Sequence, residues 1–186
     1  MKIIPLHNQQ IVLIKKAKKQ NREAQQEIFA LFSPKMLGVC RQYVKDLHHA
    51  EDLMLTGFLK VFTKLHTFKN KGSFEGWIRR IMVNTCISYL RKKNPIQLTD
   101  EDFLFDGNAT ANLENTSVED IQKLIDDLPD GYKIVFNLYA IEGYKHSEIA
   151  KELQISESTS KSQLFKARKW LQASYLKANK ISNEDK

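Results

Sequence analysis

Near the C-terminus, Ser158, Lys161, Ser162, Phe165, Lys166 and Lys169 gather on the outer side of one patterned stretch, SESTSKSQLFKARKWL. Cations and small hydroxyls in that arrangement are the groups that meet phosphates and base edges in a DNA major groove. Two helices must hold them. Ile149, Ala150 and Leu153 give the first helix a single apolar face. Ile155 and Ser156 follow at once, which leaves room only for a sharp turn. Ser156 suits an N-cap, and Glu157 suits the positive end of the helix that follows. That second helix turns Ser160, Leu164, Ala167 and Leu171 inward. Lysines on an outer face are commonly no more than a solvated surface. The tight turn between two short patterned helices favours DNA binding instead. Upstream, LPDGYKIVFNLY places Ile134, Val135, Leu138 and Ile141 at helical spacing, with Gly143 positioned to end that helix as its C′ residue.

The first half carries two further surfaces. In AEDLMLTGFLKVFTKL, Ala50, Leu53, Met54, Val61, Phe62 and Leu65 form a core stripe. A second set at helical spacing, Asp52, Leu55, Thr56, Leu59 and Thr63, contains two apolar residues, more than a solvated face needs. Docking of a partner and burial on two sides both fit that pattern. The basic turn FKNKGS then leads into FEGWIRRIMVNTCISYLRKK, with Trp77, Ile78, Ile81, Met82, Thr85 and Tyr89 inward. Arg79, Arg80, Asn84, Ser88, Arg91 and Lys92 remain for the other side, a surface suited either to a nucleic-acid strand or simply to water.

Charge divides the chain in three. Residues 1–95 hold 18 Lys and Arg against 6 Asp and Glu, a net of +12; residues 96–130 come to −9 and residues 131–186 to +4. Two basic lobes that favour polyanions are thus joined by an acidic strip. Residues 95–116 lack a helical period and are rich in Asp, Asn and Thr, so they predict a flexible acidic linker around Phe103, Leu104 and Phe105. No run is long and apolar enough to span a bilayer. Pro5, His7 and Asn8 interrupt the partly apolar start, and no small-residue cleavage site follows, so no signal peptide is read. Cys40 and Cys86 stand apart inside helical patterns and suit buried thiols in a cytoplasmic protein. His48 and His49 beside Glu51 and Asp52 invite a metal reading, but helix neighbours point about 100° apart and cannot both chelate one ion. With no phosphate loop, nucleophile elbow or Cys-x2-Cys, the expectation is a protein without catalytic residues, metal or cofactor.

Four stretches in order, AEDLMLTGFLKVFTKL, SFEGWIRRIMVNTCISYLR, LPDGYKIVF and EGYKHSEIAKELQISESTSKSQLFKAR, resemble the extracytoplasmic-function class of bacterial RNA polymerase sigma factors. The resemblance implies an all-α protein of two small helical domains. Residues 1–94 would form a region-2-like bundle and residues 95–117 the linker. Residues 118–178 would form a region-4-like helix-turn-helix domain, with a tail at 179–186. It implies core polymerase and promoter DNA as partners, the DNA double-stranded upstream and single-stranded near the start site. A membrane-bound anti-sigma factor is a further candidate partner. Polymerase contact would fall to Asp52, Leu55, Thr56, Phe58, Leu59 and Thr63. The start-proximal element would be held and opened by Lys69, Lys71, Ser73, Trp77, Arg79, Arg80, Asn84 and Arg91. The upstream element would be read by Ser158, Thr159, Lys161, Ser162, Gln163, Phe165 and Lys166. The chain departs from the family pattern at Leu55-Thr56, Gln154, Ser160 and Gln163. Gln154 in place of a common Gly predicts an adjusted turn. Buried Ser160 needs a hydrogen-bond partner, for which a carbonyl one turn back is the expected choice. The alternative reading is a stand-alone helix-turn-helix regulator.

Overall fold

A computed structural model describes residues 6–93 and 118–184; the linker at 95–117 lies outside the described residues. Among those described, all regular structure is helical: α1 (Leu6–Lys18), α2 (Arg22–Tyr43), α3 (Leu47–Lys64), α4 (Phe74–Lys93), α5 (Val118–Asp126), α6 (Asp130–Phe136), α7 (His146–Leu153) and α8 (Glu157–Glu184). The chain divides into two compact units, with the division after Tyr89 near the end of α4.

In the N-terminal unit, α1 contributes Leu13, Ile14 and Ala17 to the core, a short stripe concealed in the sequence by the lysines around it. Gln20 then takes a left-handed φ of 64°, and the Asn21 side chain caps α2 by accepting from the Ala24 N–H at 2.8 Å. Ala24, Ile28, Leu31 and Phe32 give one apolar stripe and Pro34 stands just inside a second through Leu37, Cys40, Tyr43 and Val44, a pattern that predicts two antiparallel helices. Instead α2 runs unbroken from Arg22 to Tyr43 with Pro34 inside it. Proline removes one N–H and leaves the carbonyl four residues back without its helical partner. Ala30 and Pro34 are both exposed, so water can take that place. Ile28, Phe32, Met36, Val39 and Cys40 point from α2 into the core. Cys40 meets Cys86 of α4, so the thiols are neighbours sharing a hydrogen bond rather than two isolated groups. That shared bond, and then burial, hold the Cys86 thiol well above its ordinary pKa, which keeps it protonated.

Asp46 caps α3 by accepting from the His49 N–H at 2.8 Å, and the His49 ring lies 2.8 Å from the same carboxylate oxygen. His48 instead faces Glu51 at 3.8 Å, so the adjacent imidazoles engage different carboxylates. The α3 core face packs on α2, with the Phe29 and Phe58 rings edge to face at 4.8 Å. Gly57 lets α4 come close: a Cβ there would overlap the Met82 sulfur, whereas a Cβ at Gly38 would meet nothing within 4 Å.

In the C-terminal unit, Leu128, Tyr132 and Ala167 nucleate a core joined by Ile125, Phe136, Trp170 and Leu171. Lys133 is buried, and its ammonium donates to the Asp126 carbonyl at the end of α5. Beyond α6 the backbone widens into a π turn over Asn137–Ile141, closed by Glu142 N–H donating to the Asn137 carbonyl at 2.9 Å. Gly143 follows at a φ of 72°, in the conformation its predicted helix-ending place requires.

Two substitutions test this packing by urea denaturation. Gly57→Val is expected to cost about 1–3 kcal/mol by overpacking. Gly38→Ala is expected to gain about 0.5–1 kcal/mol by restricting the unfolded chain. Equal effects at both positions would contradict the close approach of α4 to Gly57.

Candidate nucleic-acid interface

The turn between α7 and α8 is set by local backbone chemistry. Gln154 closes α7 at φ 58° and ψ 44°, the left-handed conformation foreseen where glycine is common. Ile155 N–H bonds the Ala150 carbonyl at 3.0 Å. Ser156 Oγ accepts from the Thr159 N–H at 2.9 Å and caps α8. The Ser158 and Thr159 hydroxyls each lie 2.7 Å from that same Ser156 oxygen. Hydroxyls therefore crowd the positive end of a helix, where phosphate oxygens are favoured.

Ser160 is fully buried, and its partner is not a carbonyl one turn back: its Oγ lies 2.8 Å from His146 Nδ1, at the start of α7. His146 also stacks on Tyr139, centroids 4.7 Å apart. One polar contact thus ties the first helix of the motif to the second. Burial, then the Lys161 charge, lower the His146 pKa despite the opposing pull of Glu157.

With α8 held in this phase, Ser158, Lys161 and Phe165 are exposed, and Thr159, Ser162 and Lys166 are half-buried. Lys169 lies over the Phe165 ring at 4.8 Å. Gln163 is the correction. It is 1% exposed and sits beside Ser160, Leu164 and Ala167 on the inner stripe, so it is not available to bases. Its position three residues after Ser160 requires this, because residues i and i+3 share a helix face. Its buried Oε1 has no hydrogen-bond partner among the described residues.

In the N-terminal unit, an aromatic cluster fixes the basic turn. Phe68 lies 5.1 Å from Phe74 and 5.4 Å from Trp77, and Phe74 stands edge to face on Phe32. Lys18 donates to the Phe68 carbonyl at 2.5 Å. Asn70 and Gly72 take positive φ values of 54° and 81°, leaving Lys69 and Lys71 exposed between aromatic anchors. Ser73 Oγ accepts from the Gly76 N–H at 3.2 Å, so this residue caps α4 while remaining exposed. Along α4, Trp77, Arg80, Asn84 and Arg91 share one side, at offsets of 3, 7 and 14 residues. Arg79 stands about 100° away from Arg80 and is half-buried. Asn84 Oδ1 is buried without a hydrogen-bond partner among the described residues.

The second face of α3 is open rather than buried on both sides. Leu59 is 69% exposed and Leu55 48%, flanked by exposed Asp52, Thr56 and Thr63. Phe58 does not belong with them. It is 2% exposed and packs against Phe29, one residue and about 100° from Leu59, so it cannot contact a partner. Sequence reasoning overlooked the exposed Ile121 of α5, whose i, i+3, i+4 relation to Leu124 and Ile125 was a sufficient signal.

Two protein-family models match this chain: sigma-70 region 2 over residues 28–96 and sigma-70 region 4 over residues 118–171. Each falls on one half of the chain, so the N-terminal unit is matched in its own right and a stand-alone regulator is not favoured. The ECF RNA polymerase sigma factor SigW of Bacillus subtilis is 28% identical over 174 residues, covering 85% of this chain and 92% of its own. SigM of the same organism is 26% identical over 153 residues, covering 80% and 93%. Among solved structures, the sigma factor RpoE in complex with the anti-sigma factor NepR, from Bartonella quintana, aligns with a TM-score of 0.50 at 21% identity, covering 80% of this chain and 94% of that one. CnrH in complex with the cytosolic domain of CnrY aligns equally well at 20% identity, covering 90% and 96%. The chain belongs to the extracytoplasmic-function class of the sigma-70 family, and it is an RNA polymerase sigma factor.

The lowered His146 pKa has a direct consequence. A histidine that binds protons more weakly when folded contributes full stability above its unfolded value, near 6.5, and loses it as pH falls through the folded value. Hydrogen exchange of α7 and α8 amides, corrected for the intrinsic pH dependence, is expected to speed up as pH drops below that point. His146→Gln is expected to flatten the response. Constant protection across the same window would contradict the coupling of His146 to α8.

Proposed function

We propose that three surfaces divide the work of promoter-specific initiation. The exposed α3 face of Asp52, Leu55, Thr56, Leu59 and Thr63 docks on core RNA polymerase. The observation that carries this is Leu59, 69% exposed on a helix whose opposite face is fully packed. An apolar row left in water on an otherwise satisfied helix is what a partner covers.

The α4 side formed by Trp77, Arg80, Asn84 and Arg91, with Lys69 and Lys71 in the turn before it, holds the start-proximal DNA as separated strands. Separation sacrifices stacking worth about 1.4 kcal/mol per step. Aromatic stacking and cationic backbone contacts offset that cost. Ser73 orients α4 as its cap, and Arg79 contributes positive charge from the flank. The outer face of α8, built from Ser158, Lys161, Ser162, Phe165 and Lys166, reads the upstream element as a duplex, with the hydroxyls around Ser156 and Thr159 at a phosphate. Catalysis stays with the polymerase; the sigma factor supplies position and strand opening. The work is cytoplasmic, and no described helix is long and apolar enough to cross a membrane. An anti-sigma factor, of the kind bound to RpoE and CnrH in their solved complexes, is a fitting regulator.

Two variants separate these roles. Leu55→Asp/Leu59→Asp is expected to weaken co-elution with core polymerase at least tenfold while leaving helicity unchanged, since both side chains are exposed. Undiminished binding would overturn the α3 assignment. Lys161→Ala/Lys166→Ala is expected to retain core binding. It should lower the slope of log affinity against log salt for promoter DNA by about 2, roughly one unit for each phosphate contact removed. An unchanged slope would remove α8 from the interface.

A further inference from the structure

The C-terminal unit carries an apolar groove that the three surfaces above do not explain. It lies between α5, the end of α6 and the middle of α8, encloses about 660 Å³, and is walled by Ile121, Leu124, Phe136, Phe165 and Leu171. That volume is in the range of clefts that bury a drug-sized ligand (about 300–1,000 Å³). Its walls are unsatisfied: Ile121 is 43% exposed and Phe165 58%. Arg168 and Lys169, both exposed, also line it and give an apolar floor a cationic border.

The chain contains a segment of matching chemistry. Asp100 to Asp106 reads DEDFLFD, three consecutive large apolar residues with three carboxylates before them and one after. Residues 96–130 form the one strongly acidic stretch of an otherwise basic protein. Phe103, Leu104 and Phe105 suit the floor, and Asp100, Glu101, Asp102 and Asp106 suit the Arg168–Lys169 border. The connection is short. Residues 107–117 separate the segment from the start of α5, and 11 residues span at most about 36 Å. The nine residues of α5 rise only about 14 Å, so the whole groove is within reach. A tether of this length supplies an effective concentration in the millimolar range, enough for a small apolar contact to form within one molecule.

We propose that residues 100–106 are the groove's occupant, docking as an acid-flanked apolar peptide on the α5–α8 groove of the same chain. Phe165 belongs both to the groove and to the α8 face assigned to the upstream duplex. The docked segment and the duplex therefore compete for that ring, a consequence that rests on the functional reading above. The docking itself does not.

The experiment compares methyl NMR spectra of the full-length protein with those of Phe103→Ser/Leu104→Ser/Phe105→Ser. The Ile121, Leu124 and Leu171 methyls are expected to shift between the two, while Leu55 and Leu59 serve as unshifted references. A synthetic peptide of residues 98–108 added to the triple variant is expected to restore the wild-type positions. Arg168→Glu/Lys169→Glu in the same background is expected to weaken that peptide at least tenfold. Identical groove methyls in wild type and triple variant would overturn the proposal. So would shifts that appear only with rising protein concentration, because the occupant would then be a second copy of the chain. None of these readouts involves polymerase or DNA, so failure here leaves the functional assignment standing.

Discussion

The contact between His146 and Ser160 governs what the C-terminal unit can present. A hydroxyl at a fully buried helix position must find a partner, and here it finds the imidazole of the preceding helix at 2.8 Å. That pairing, together with the buried Leu164 and Ala167 on the same stripe, holds the rotation of α8 about its axis. With Ser160 inward, Lys161, Phe165 and Lys169 face out; turning the helix by one residue would carry each of them through about 100°. The left-handed Gln154 and the Ser156 cap set where α8 begins, and the buried pair sets which way it faces. Position and phase of the outward-facing residues of α8 thus come from atoms placed inside the motif.

The N-terminal unit solves the same problem with packing. The Phe58 ring against Phe29, and the bare Gly57 under Met82, bring α3 tightly between its neighbours. That leaves no freedom to hide Leu55 and Leu59, which stand exposed to water. The aromatic group of Phe32, Phe68, Phe74 and Trp77 ends α3's connection and begins α4. It holds Lys69 and Lys71 at the mouth of the α4 face, although those lysines make no contribution to the core. In both units, buried residues decide which side chains stand exposed.

Much of this was legible in the sequence because helical period is a strong signal over long segments. The two faces of α3, the turn after Leu153, the Ser156 cap and the Gly143 ending all follow from spacing and residue type. Gln163 and Phe58 belong to the candidate surfaces only through the family resemblance, and period argues against both: the spacing of Gln163 from Ser160 and Ala167 places it inside, and Phe58 diverges from Leu59 by about 100°. A proline at position 34 predicts a helix boundary, whereas α2 absorbs it on an exposed side. Other features required the third dimension. No local pattern pairs Cys40 with Cys86 across 46 residues, or supplies Ser160 with a histidine from another helix.

The central claim is that this chain confers promoter choice on a polymerase without performing the chemistry itself. Run-off transcription tests it most directly, using core polymerase, the four nucleotides and a DNA fragment from upstream of the protein's own coding region. Transcripts from one discrete start that require both the protein and core polymerase are the expected result. An absence of protein-dependent transcripts across the genomic upstream fragments of the same organism, with core polymerase active on a control template, would contradict it.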